Sequence, residues 1–281
     1  MKKTLLFVYG TLRKGEANHH FVQHANIRAE QCWTKGELYD TTFGYPVMKK
    51  GIEKIYGELY EVNDQQLESI NGLEGYKEDG KTNLYERVSQ TVYTDKGEFE
   101  ALLYIAGESL SQCETKIKLG DWKVYQFEKE QNDFLYLAYG SCLDDERFIK
   151  AGVHDYFANV VGVGKVKGYS LRFSLPTTDG GKADIVEEGG VVEGKVYKIP
   201  WQGLQYLYER EGVNISLYRP AIIEVDIANK QYENVLTFFV VEKKKETPPS
   251  PLYATEILRG GKNVLSDSYM KGVENHIRNL S

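Results

Sequence analysis

Leu6-Phe7-Val8-Tyr9-Gly10-Thr11 and Tyr136-Leu137-Ala138-Tyr139-Gly140-Ser141 carry one pattern, a short apolar run ending in Tyr-Gly and a small hydroxyl residue, at an offset of 130 residues. Gly57-Glu58-Leu59-Tyr60-Glu61-Val62 reappears as Gly194-Lys195-Val196-Tyr197-Lys198-Ile199 at an offset of 137. Leu73-Glu74-Gly75-Tyr76 reappears as Arg210-Glu211-Gly212-Val213 at the same offset. In each copy 17 residues separate the strand glycine from the glutamate of Glu-Gly. Leu84-Tyr85 and Leu217-Tyr218 follow, each with an arginine close behind. Three motifs in one order, with one spacing held, define two copies of one fold. The join falls within 108–133, and the expected domains are 1–131 and 132–281.

Within a copy, the Gly-Glu-Leu-Tyr and Gly-Lys-Val-Tyr segments alternate as half-buried strands do. A short helix is expected after each. The first covers about 64–73, with Asp64 as N-cap and Leu67, Ile70 and Leu73 on one face; the second covers 201–210, with Leu204 and Leu207. Gly75 and Gly212 stand where a left-handed helix cap is needed. Trp122 and Tyr125 can share a helix face, and a closing helix is expected over 266–279 with Tyr269, Val273 and Ile277 at four-residue spacing. A helix is also expected after the first Tyr-Gly turn. Interleaved strands with few helices predict an α+β fold in which each copy curls its sheet into a small barrel.

The chain has 281 residues, 41% hydrophobic and 27% charged, enough apolar material for folded domains. Its net charge of −6 argues against a nucleic-acid partner, which a basic surplus would serve. The Lys243–Lys245 run is flanked by Glu242 and Glu246 and reads as a solvated turn. No apolar stretch approaches the length of a membrane span. Cys32, Cys113 and Cys142 lie far apart with no CxxC pair, which points to a reducing, cytoplasmic setting without disulfides.

Two features can carry chemistry. A strand that ends in Tyr-Gly-Thr or Tyr-Gly-Ser presents backbone N–H groups to whatever lies above it, and such a nest grips an anion; read alone, it is as readily an ordinary turn. Glu74 and Glu211 recur at a fixed distance from a core strand, and a carboxylate among apolar groups has its pKa raised and can exchange a proton near neutrality. Glu209 has Gly72 as its counterpart and reads as surface charge.

These motifs resemble the γ-glutamylcyclotransferase superfamily over nearly the whole chain, as two tandem domains. Tyr9-Gly10-Thr11-Leu12, Gly44-Tyr45-Pro46, Gly57-Glu58-Leu59-Tyr60 and Glu74-Gly75-Tyr76 resemble the γ-glutamylamine cyclotransferase branch. Tyr139-Gly140-Ser141, Glu211-Gly212-Val213, Tyr218 and Pro249-Ser250-Pro251-Leu252-Tyr253 are similar to γ-glutamylcyclotransferase itself. The resemblance implies a mixed barrel with flanking helices and a cavity at the Tyr-Gly turn. It implies that the α-amine of a γ-glutamyl group attacks its own side-chain carbonyl, closing 5-oxoproline and releasing an amine or amino acid, with no metal or organic cofactor. Glu74 and Glu211 would move the proton. Tyr9, Gly10, Thr11, Leu12, Tyr139, Gly140, Ser141 and Cys142 would hold the substrate, and Tyr85, Tyr218 and Tyr253 would orient it. One departure stands out: Cys142 occupies a position where that branch usually has Asn. Two alternatives keep the same pocket, a carboxylate-binding module without turnover and an amidohydrolase that uses water in place of the amine.

His20 and His24 have the spacing of two helical zinc ligands, but no third ligand is evident and a surface helix is the simpler reading. Gly162-Val163-Gly164-Lys165, Gly180-Gly181-Lys182 and Gly260-Gly261-Lys262 lack a P-loop's spacing and read as turns. Trp33, Trp122 and Trp201 read as packing residues.

Overall fold

The computed structural model describes residues 3–78, 80 and 82–280. The chain divides into two compact units, Met1–Lys129 and Glu130–Ser281. The first runs β1 (Lys3–Val8), β2 (Asn26–Asp40), β3 (Pro46–Asn63), α1 (Asp64–Leu73), β4 (Tyr85–Thr94), β5 (Gly97–Ala106) and β6 (Thr115–Lys116) into α2 (Trp122–Glu130). The second runs β7 (Phe134–Ala138), α3 (Asp145–Lys150), β8 (Val160–Lys167), β9 (Ser170–Thr177), β10 (Gly180–Val186), β11 (Val191–Ile199), α4 (Gly203–Arg210), β12 (Tyr218–Ile227), β13 (Lys230–Val240), α5 (Pro251–Gly261) and α6 (Asp267–Leu280).

The two sheets share a topology. The second unit closes a barrel in the order β11-β7-β13-β12-β8; the first runs β3-β1-β5-β4-β2 and returns on itself through a β2–β3 pairing. In both, the strand before the Tyr-Gly turn lies parallel to the last long strand, β1 with β5 and β7 with β13. The remaining pairings are antiparallel. The glycines that open the repeated strand motif explain part of this. A Cβ on Gly57 would sit 2.3 Å from the Val8 carbonyl oxygen, and one on Gly194 would sit 2.5 Å from that of Ala138. Only glycine lets these strands approach the backbone beside the Tyr-Gly turn so closely.

Tyr56 to Tyr60 and Val192 to Tyr197 are buried without interruption, where alternation predicts half-buried strands. The reason is a second covering layer. Leu59 packs inside the barrel with Phe7, Ile55 and Leu103, while Tyr60 packs on the outer face with Leu6, Val62 and Ile70 of α1. A strand covered on both faces loses its period-two exposure.

Several local expectations are corrected. The N-cap of α1 is Asn63, not Asp64: its side chain accepts from the Gln66 N–H (2.9 Å) while Gln66 accepts from the Asn63 N–H (3.0 Å), a reciprocal capping box. The second helix begins at Gly203. The chain after Gly10 forms turns and a 3-10 turn at His19–Phe21 rather than a helix, so His20 and His24 share no helical face. Gly162 and Gly164 lie inside β8, where a Cβ on Gly164 would meet Val225 at 2.5 Å; Gly260 and Gly261 end α5, and Gly180 and Gly181 open β10. Lys243 is not free in solvent: its Nζ donates to the Ile185 carbonyl (3.1 Å) and pairs with buried Asp184 (3.4 Å). Trp122 is fully buried, its Nε1 donating to Glu16 (3.1 Å) and its ring 5.8 Å from that of Tyr125.

Candidate functional site

In each unit the end of the first strand, the turn after it and the end of the helix meet. Gly75 (φ +59°) and Gly212 (φ +62°) take the left-handed conformation that stops α1 and α4. The residue before each, Glu74 or Glu211, still donates its backbone N–H into the helix, to Ile70 and Leu207. Its side chain is thereby aimed back at the Tyr-Gly turn. Neighbouring tyrosines fix that turn. Tyr9 donates to the Tyr104 carbonyl (2.8 Å), and Tyr139 donates to that of Phe238. Tyr85 donates to the Pro46 carbonyl (2.9 Å), and Tyr218 donates to that of Ala183 (2.6 Å). Pro46 and Ala183 are in turn the residues that crowd Gly10 and Gly140: a Cβ on Gly10 would lie 2.7 Å from Pro46, and one on Gly140 would lie 3.1 Å from Ala183. The loop beyond each turn is pinned to the repeated strand by an ion pair of reversed sense. In the first unit buried Arg13 meets Glu58 (3.3 Å) and Asp121 (2.7 Å); in the second, buried Lys195 meets Asp145 (2.9 Å).

The first unit holds a cavity of about 320 Å³. Tyr9, Gly10, Thr11, Leu12, Glu74 and Tyr85 all line it, so the sequence-predicted residues of this copy converge. Phe43, Tyr45, Leu84 and Tyr104 complete its walls and mouth. The Glu74 carboxylate has no hydrogen-bond or ion-pair partner among the described residues, and desolvation alone raises its pKa to about 7. Among the described residues it is the only acid in the lining, and none of them brings a cation to it. Thr11 Oγ1 accepts from the side-chain amide of Asn18 (3.0 Å), so the hydroxyl is held in place and shares the polar surface there with the turn's backbone.

The second unit brings its predicted residues together too: Tyr139, Gly140, Ser141, Cys142, Glu211, Tyr218 and Tyr253 surround one hollow. That hollow measures only about 30 Å³, the scale of a bound water. Arg210, the last residue of α4, bonds to two of the residues that line it. Its guanidinium donates to Ser141 Oγ (3.1 Å) and Cys142 Sγ (3.1 Å) and lies 4.0 Å from the Glu211 carboxylate. The Cys142 thiol also contacts Glu211 (3.6 Å). Burial raises the Glu211 pKa, and Arg210, Cys142 and Arg147 pull against that rise. Burial likewise pushes the Cys142 thiol up despite Arg210, which is the wrong direction for a ready nucleophile. Tyr253 comes from α5; its hydroxyl accepts from the Ala183 N–H (3.2 Å), and burial pushes its pKa up to about 12.

Sequence reading missed Arg210 as a functional residue. The signal was present in the motif itself, where Arg210-Glu211 stands against Leu73-Glu74 and Cys142 stands against Leu12. It also missed Phe43, which no repeat marks, and Leu84, whose place in the repeated Leu-Tyr pair was the available signal.

Two family models match the chain: "Gamma-glutamyl cyclotransferase, AIG2-like" over residues 6–124 and "AIG2-like family" over residues 191–273. The chain belongs to this family, as two tandem domains. It is 40% identical to YkqA of Bacillus subtilis over 283 residues, covering 99% of this chain and 98% of that one. The crystal structure of YkqA superposes on it with a TM-score of 0.89 over 99% of both chains. The gamma-L-glutamyl-butirosin B gamma-glutamyl cyclotransferase of Niallia circulans is 36% identical over 124 residues, 44% of this chain and 78% of that enzyme. Family membership supports an enzyme of the γ-glutamylcyclotransferase kind. Among the described residues no helix is long and apolar enough to cross a membrane.

Proposed function

We propose that the cavity of the first domain cyclises γ-glutamyl amides, releasing 5-oxoproline and an amine, and that the second domain does not turn over substrate at its own hollow. The observation that carries this reading is the unpartnered Glu74 carboxyl, with a pKa of about 7, facing a substrate-sized cavity beside the Tyr9–Leu12 turn. The name of the Niallia circulans relative, a γ-glutamyl cyclotransferase, agrees with it.

The α-amine and the γ-carbonyl belong to one molecule, so holding the chain folded makes the attack unimolecular. Glu74 takes a proton from the α-ammonium, and the amine nitrogen bonds to the side-chain carbonyl carbon. The oxygen that gains charge is stabilised by backbone N–H groups of the Gly10–Leu12 turn. Glu74 then delivers that proton to the amide nitrogen, the carbonyl re-forms as the old C–N bond breaks, and the ring nitrogen's surplus proton passes through the freed carboxylate to the departing amine, which leaves as its ammonium. A group with pKa near 7 both accepts and returns a proton at neutral pH, as this sequence of steps needs. Tyr9 and Tyr85 spend their hydroxyls on backbone carbonyls, so their part is to hold the walls.

Glu74→Gln is expected to lower 5-oxoproline release from a γ-glutamyl amide by about 10²–10⁴-fold, the usual contribution of a general acid–base. Glu211→Gln is expected to change it less than about twofold, because Glu211 faces no room for substrate. Equal losses in both variants would overturn the one-site reading. Free glutamate as the product would replace cyclisation with hydrolysis.

A further inference from the structure

The mouth of the first cavity carries an aromatic pair, Phe43 and Tyr45, that the repeat does not share, beside Leu84. Phe43 is 75% exposed and Leu84 is 36% exposed, and both line the cavity. The Phe43 and Tyr45 rings lie 6.2 Å apart at 29°, and Tyr45 leads inward to Tyr85 at 6.4 Å. Phe43 is held out by a built loop. Thr42 and Gly44 on either side both have positive φ (67° and 86°). The Thr42 N–H donates to Asp40 Oδ1 (2.8 Å), and Thr41 donates to the Tyr45 carbonyl. Asp40 is itself locked by the Tyr125 hydroxyl (2.8 Å) and Lys129 (3.2 Å). A large apolar ring fixed at a cavity mouth by two left-handed backbone positions is a surface awaiting a ligand.

The charge of the lining narrows that ligand. Among the described residues Glu74 is the only ionisable group in the lining besides tyrosines, and it sits at the reacting end. A leaving amine that carries a carboxylate would find no cation among the described lining residues, and would be repelled by ionised Glu74. A leaving amine with a distal ammonium would find no second acid. Apolar aryl or aralkyl groups instead match Leu12, Leu73, Leu84 and the Phe43–Tyr45 pair.

We propose that Phe43, with Tyr45 and Leu84, is a specificity determinant that selects γ-glutamyl amides whose amine bears an apolar aromatic group and no carboxylate. This rests on the cyclisation reading of the same cavity. The test is 5-oxoproline release from γ-glutamyl-benzylamide, γ-glutamyl-methylamide, γ-glutamyl-phenylalanine and a γ-glutamyl-lysine isopeptide, on wild type, Phe43→Ala and Phe43→Trp. The benzylamide is expected to exceed each of the others in kcat/KM by about tenfold or more, chiefly through KM. Phe43→Ala should erase its advantage over the methylamide with kcat kept, and Phe43→Trp should restore it. Equal or better use of the methylamide, phenylalanine or lysine compound overturns the inference, as does a ranking that Phe43→Ala leaves intact. If none of the four yields 5-oxoproline, the cyclisation reading falls, and calorimetric binding to the wild-type chain decides the inference alone. Benzylamide binding about tenfold tighter than methylamide binding, lost in Phe43→Ala, supports it; equal binding overturns it.

Discussion

The two domains place equivalent glutamates at equivalent positions, yet only one faces open space. Glu74 and Glu211 follow the same helix, precede the same left-handed glycine and point to the same kind of turn. Around Glu74 the neighbouring positions are Leu12 and Leu73, which leave about 320 Å³. Around Glu211 they are Cys142 and Arg210, which bond to each other and leave about 30 Å³. A repeated motif therefore preserves the framework of a site without preserving the site. What decides function is the pair of side chains beside the motif.

Exchanging those side chains breaks the comparison most sharply. Leu73→Arg is expected to carry the guanidinium into the first cavity, toward the Thr11 hydroxyl and Glu74, and to cut 5-oxoproline release by about 10²-fold or more, since it fills the space and pairs with the base. The reciprocal double change, Arg210→Leu with Cys142→Leu, is expected to enlarge the second hollow. A γ-glutamyl amide would then raise the melting temperature of that double variant even when Leu73→Arg blocks the first cavity. Ligand-induced shifts measured by calorimetry check both directions.

The next contrast is in pH. Glu74 acts as a base only when ionised, so kcat/KM is expected to rise about tenfold per pH unit below about 7 and to level off above it as far as Glu74 is concerned. A profile on wild type shows this limb, and Glu74→Gln removes it while Glu211→Gln does not.

The smallest effect is on stability. The Glu74 pKa is raised in the folded chain from its ordinary 4.5 to about 7. The fold favours the neutral acid, so its contribution is complete below about pH 4.5 and is lost as pH rises through about 7. Glu74→Gln, neutral at every pH, is expected to match wild type near pH 4. Near pH 8.5 it should be more stable by roughly 1–2 kcal/mol, less than a fully enclosed carboxylate would give because Glu74 is open to the cavity. Denaturant titrations at the two pH values measure this.

How much of this was legible in the sequence follows from what each residue does. Gly57, Gly194, Gly75 and Gly212 are demanded by local backbone geometry, so their recurrence exposed the two barrels and placed both glutamates. The barrel closure and the common parallel pair follow from the repeat only as a class, since strand order depends on long-range pairing. Continuous burial of Tyr56–Tyr60 in β3 and Val192–Tyr197 in β11 was misread because alternation reports exposure on one face, and here both faces are covered. The collapse of the second site was hidden for another reason. Arg210 looks like any arginine ending an amphipathic helix, and whether it turns outward or into a hollow depends on Ser141 and Cys142, 68 or more residues away. β10 and α5 bring Ala183 and Tyr253 to that site from far along the chain.

The most direct measurement is the stoichiometry of ligand binding. Isothermal titration of the Glu74→Gln chain with a γ-glutamyl amide is expected to give one molecule bound per chain, abolished when Leu73→Arg is added and untouched when Glu211→Gln is added. Two molecules per chain, or one that survives Leu73→Arg, would contradict the account.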